Sequence, residues 1–134
     1  MYFDLEESFV NNYINPLYRD RLLFEFKSSK KRLTAIMRFS HNIDSLVKEN
    51  KVFSKLKEID DKKLKLFLKG KELYVVSFKY LDGILMGVNE AVNYVCNEYM
   101  PVIIFGANVA VIKKEFEKGG DNIYLLKNSN NQNV

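Results

Sequence analysis

The hydrophobic pattern of this chain changes period near Glu72. Before that point apolar residues recur every three or four positions, the repeat of a helix. Beyond it they alternate or run unbroken, as strands do. An apolar helix stripe has to be buried against another apolar surface. The pattern therefore predicts an α+β fold, with N-terminal helices packed on one face of a mostly antiparallel C-terminal sheet.

In the first half, Leu5, Phe9 and Tyr13 fall at helical spacing behind Asp4, a suitable cap, with Glu6 and Glu7 near the positive helix terminus. Asn15-Pro16 breaks this helix and restarts another, because proline favours the first helical position. Leu17, Tyr18, Leu22 and Phe26 would face inward from the second helix. A third is predicted from about Lys30 to Ser40, capped by Ser29, with Leu33, Ile36, Met37 and Ser40 on its inner face. A short fourth follows Asn42. Residues 50–71 are rich in lysine and weakly patterned. Val52, Phe53, Leu56 and Ile59 suggest a helical turn or two. Leu64, Leu66 and Leu68 fit either an edge strand or a frayed helix.

In the second half, Tyr74, Val76, Phe78 and Tyr80 line one strand face, and Asp82-Gly83 reads as a two-residue hairpin turn before a return strand. Val88, Val92, Val95 and Tyr99 mark a helix that ends before Pro101. The run "PVIIF" is a buried strand. Residues 109–118 fit a strand, which the β-branched density favours, or a helix capped by Gly119. "EKGGDN" is a second hairpin turn, leading to "IYLLK". Leu33, Ile36, Val76, Phe78, Val95, Ile103 and Ile104 are the expected core. Residues 1–127 should form one domain and 128–134 a disordered polar tail.

Several classes of protein are disfavoured. The 134 residues suffice for a core without metal or disulfides, and the lone Cys96 permits no internal disulfide. The N-terminal residues lack the basic and apolar regions of a signal peptide. The longest apolar run, residues 99–112, is interrupted by Pro101, Gly106 and Asn108 and does not suit a membrane span. A cytoplasmic location is the simplest expectation. One His and one Cys leave carboxylates alone for a metal, and Glu58, Asp60 and Asp61 lack the spacing of a calcium loop. Neither glycine-containing turn matches a phosphate loop. No metal or cofactor is expected. No Ser-His-Asp or Cys-His pattern is present, so no enzymatic activity is expected either. Cys96, on a predicted helix, reads as a small buried hydrophobe.

One segment invites a functional reading. Between Glu25 and Asp44 there is no acidic residue, yet Lys27, Lys30, Lys31, Arg32 and Arg38 are present and His41 closes the run. The net charge of +4 lies wholly in residues 1–67, and all four arginines fall between Arg19 and Arg38. On a helix, Lys31, Thr34, Arg38 and His41 share one stripe, flanked by Lys27 and Arg32. Such a stripe can hold carboxylates or phosphate oxygens of a partner. Lys27, Lys31, Arg32, Arg38 and His41 are thus the candidate binding residues. The competing reading is a solvated helix face paired with Asp20, Glu25 or Asp44. These features suggest a small non-enzymatic binding or regulatory protein acting on another protein through its basic helical half. The alternative is weak nucleic-acid binding by the same Lys27–His41 stripe. The strand face of Tyr74, Phe78 and Tyr80 could stack on bases, although the same alternation is how a sheet faces its own core.

Overall fold

The structure, a computed structural model, describes residues 1–70 and 72–128. Helices α1 (Phe3–Tyr13), α2 (Arg19–Lys27), α3 (Arg32–His41) and α4 (Ile43–Leu46) come first. Strand β1 (Val52–Leu56) and helix α5 (Asp61–Phe67) follow. Then come β2 (Leu73–Ser77), β3 (Ile84–Met86), α6 (Val88–Asn97), β4 (Val102–Phe105), β5 (Val109–Lys113) and β6 (Ile123–Lys127). The strands form one six-stranded sheet in the order β1-β6-β5-β4-β2-β3, and every neighbouring pair is antiparallel.

Both faces of the sheet are covered. Tyr74, Val76, Ile103, Phe105, Ala110, Ile112, Tyr124 and Leu126 meet α1–α4. The alternate residues Leu73, Val75, Val102, Ile104, Val111, Ile123 and Leu125 meet α5 and α6. A strand buried on both sides has no polar alternation to show, which is why "VIIF" and "VAVI" read as unbroken apolar runs.

The α+β architecture and the placement of the N-terminal helices agree with the sequence. Several local expectations do not. Val52–Leu56 is an edge strand rather than a helical turn, with a register irregularity between Val52 and Ser54 opposite β6. Residues 61–67 are a helix that buries Leu64, with Leu68 buried just beyond its end, and leaves Leu66 73% exposed. Positions four apart share a helix face and also a strand face, so these leucines could not separate the two readings. Residues 109–113 form the favoured strand.

The inner stripe of α3 is Arg32, Ala35, Ile36, Phe39 and Ser40. Leu33 is displaced from the expected core and is 46% exposed. Phe78 is half-buried and Tyr80 is 76% exposed, because β2 ends at Ser77. The β2–β3 hairpin forms, but not through a two-residue turn. Val75 pairs with Ile84, and the positive φ angles fall on Leu81 and Gly83 rather than on Asp82 and Gly83. Asp82 instead turns its carboxylate back to the Ser77 amide, 3.0 Å away. The tail residues 129–134 lie outside the described region.

Candidate functional site: the basic helical face

The five candidate residues do not form one exposed stripe. Arg32 opens α3 on its buried side and is 5% exposed. Its Nε and Nη2 donate to Asp82 at 2.7 and 2.9 Å, and Nη1 and Nη2 donate to Glu6 at 2.7 Å each. The remaining Nη1 bond goes to the Phe26 carbonyl at 2.9 Å. A guanidinium has five N–H donors, and these bonds use all of them. Burial alone would lower the Arg32 pKa, but hydrogen bonds and charge from Asp82 and Glu6 outweigh it and raise the pKa overall. Arg32 has no donor left for a partner. It joins α1, α3 and the β2–β3 loop.

Tyr74 completes this cluster by donating to Glu6 at 2.6 Å. Burial, with the Glu6 carboxylate, raises its phenol pKa. Neither Glu6 nor Asp82 was among the sequence candidates. A signal was present: Glu6, Phe9 and Tyr13 share one helical stripe, as do Arg32, Ala35, Ile36 and Phe39. A charge placed on an apolar stripe needs a buried partner.

Arg38 is half-exposed and bound to the buried Glu25 of α2, which Arg21 also approaches at 3.4 Å. It is therefore tied to an acid of its own chain. His41 ends α3, with its Nε2 3.7 Å from Glu115 on the β5–β6 connection. Both side chains are about half exposed, and such a pair contributes little. Lys27 and Lys31 are exposed. The Lys31 ammonium lies 5.1 Å over the Phe24 ring. Lys31 and Arg38 thus both reach toward α2, while His41 points elsewhere.

Large apolar side chains on α2 and the turn before it are also exposed. Leu17 is 81% exposed and Phe24 63%. A cleft of about 280 Å³ runs between α2 and α3, rimmed by Tyr18, Arg21 and Arg38 over Leu22 and Phe39.

A second polar feature lies on the opposite sheet face. Lys113 is buried, and its ammonium donates to the Glu98 carbonyl. Burial lowers the Lys113 pKa and raises that of the nearby Cys96 thiol. The half-buried Cys96 is thereby kept from being a thiolate, in line with a packing role. Among the described residues, no three of His, Cys, Asp and Glu stand close enough to hold a metal ion. No helix among them is long and apolar enough to cross a membrane.

The fold defines an α+β protein with helices on both faces of an antiparallel sheet, and α2 carries exposed apolar and basic side chains. Comparison with protein-family models, with curated proteins and with solved structures finds no match.

Proposed function

We propose that the chain is a non-enzymatic binding protein whose α2–α3 face takes an acidic segment of another protein that also carries apolar side chains. The observation that carries this reading is Phe24, a large ring held in solvent with an ammonium 5.1 Å above it. Exposed aromatic and arginine side chains are the residue types that dominate protein interfaces. Leu17, Tyr18 and Phe24 supply apolar area. Arg21, Lys27, Lys30 and Lys31, on or next to α2, add exposed positive charge. The acids nearby are Asp20 and the already engaged Glu25. A partner segment bearing carboxylates beside apolar anchors complements this face in both respects.

Nucleic-acid binding by the same stripe is the weaker reading, because two of its guanidiniums are engaged within the chain. Photocrosslinking from position 24 in nuclease-treated lysate would identify the partner, and the purified pair would then be titrated. Phe24→Ala combined with Lys31→Ala should weaken binding by about ten-fold or more while leaving the melting temperature unchanged. Unchanged affinity in the double variant would sink the proposal. Capture that disappears with nuclease and falls steeply with salt would transfer the face to nucleic acid.

A further inference from the structure

Where α5 meets the edge strand β1, two aromatic rings stack at the surface. Phe53 of β1 and Phe67 at the end of α5 have centroids 5.6 Å apart and an interplanar angle of 23°. The ammonium of Lys127, on the neighbouring strand β6, lies 4.0 Å from the Phe53 centroid and 6.0 Å from that of Phe67. Even with these neighbours in place Phe53 is 57% exposed. Further cations stand at the same corner. Lys51 directly precedes β1, and its ammonium donates to Asn128, the residue after Lys127, at 2.6 Å. Lys63 stands four residues before Phe67 on α5 and so shares its helix face. From Lys51 to Lys69 the chain carries seven lysines against Glu58, Asp60 and Asp61. Among the described residues the lysine ion pairs are Lys55–Asp44 and Lys114–Glu117, so Lys51, Lys63 and Lys127 have no carboxylate partner there.

We infer that this β1–α5 corner binds single-stranded nucleic acid with little sequence preference. Such sites combine aromatic side chains, against which bases stack, with cations that follow the phosphates. Phe53 supplies the exposed ring, and Lys51, Lys63 and Lys127 supply charges that no acid of the described chain neutralises. An acidic peptide would answer the lysines alone, whereas a base next to a phosphate answers the lysines and the ring together. A duplex keeps its bases stacked on one another, so it can use the lysines but not Phe53. The corner is separate from the α2–α3 face, because α5 packs on the other side of the sheet.

The full chain would be titrated with a fluorescently labelled oligouridylate of about ten nucleotides, a length typical of single-strand sites. A stable duplex of the same length and a polyglutamate would be run beside it, all followed by anisotropy at several salt concentrations. The single strand should bind saturably at low salt, more tightly than the duplex or the polyglutamate, and should weaken as salt rises. Phe53→Ala should keep the melting temperature and weaken the single strand by about five-fold or more, the worth of one stacked base, while leaving the duplex unaffected. Lys127→Gln should reduce the slope of log affinity against log salt by roughly 0.7, the share of one phosphate contact. Absence of saturable binding at low salt, equal affinity for single strand and duplex, equal affinity for polyglutamate, or full affinity in Phe53→Ala would each overturn the assignment.

Discussion

Arg32 shows how burial decides the role of a side chain. In sequence it is one of several cations in an acid-free run. In the folded chain it sits between two carboxylates and a carbonyl with every N–H engaged. Two acids and one base leave this cluster with a net negative charge, so losing the guanidinium would strand two carboxylates away from water. Arg32→Ala should accordingly cost about 3–5 kcal/mol in urea denaturation, the range for breaking a buried ion pair. A loss below about 1 kcal/mol would mean that Glu6 and Asp82 are solvated after all. Its neighbour Lys31, one residue away, is exposed and rests on Phe24. Lys31 is the cap residue just before α3 and stays in solvent, whereas Arg32, the first helical residue, lies on the inner stripe.

At the scale of elements, the exposed and buried faces of α3 and β4 make a direct comparison. Ile103 is 1% exposed at the centre of the sheet, between β2 and β5, and its side chain packs toward α1–α4. Ile103→Ala should destabilise the protein by roughly 2–5 kcal/mol, the cost of a cavity in a packed core. Leu33, which the sequence pattern assigns to the same core, is 46% exposed, so Leu33→Ala should stay within about 0.5 kcal/mol. Thermal or urea unfolding of the two variants side by side checks this, and similar losses would place Leu33 in the core. The β2–β3 loop is positioned by tertiary contacts too. Gly83 has a φ of +76° and lies against Met1, and a Cβ there would come within 2.5 Å of the Met1 Cγ. The N-terminal residue thus packs onto a hairpin some eighty positions away.

For the whole molecule, the buried phenols set a limit at high pH. Burial pushes the Tyr13 pKa up from 10.0 to about 12. Burial, followed by the charge of Asp44, also pushes Tyr124 up to about 12. The folded pKa values lie above the unfolded ones, so the folded chain retains phenol protons that the unfolded chain releases. Stability should therefore be intact below pH 10 and should fall as the pH rises from 10 toward about 12. Melting temperatures between about pH 8 and pH 11.5 should show this decline, and Tyr13→Phe should make it shallower. Parallel declines in the two proteins would remove Tyr13 as a cause.

Hydrophobic periodicity determined the helices of the first fifty residues and the order of elements after Glu72, because a helix stripe and a strand face have different repeats. Of the seven expected core residues, Ile36, Val76, Val95, Ile103 and Ile104 are buried, Phe78 is half-buried and Leu33 is exposed. The tertiary structure decided the rest. In β1 and α5 both repeats fit the same few residues, and pairing with β6 or packing under the sheet selects between them. In the basic run, charge shows that cations are present but not which acids they meet. Glu6 and Asp82 stand 26 and 50 residues from Arg32 in the chain. A sequence pattern reports neighbours along the backbone, whereas ion pairs and clefts depend on proximity in space, which only the packed helices and sheet create.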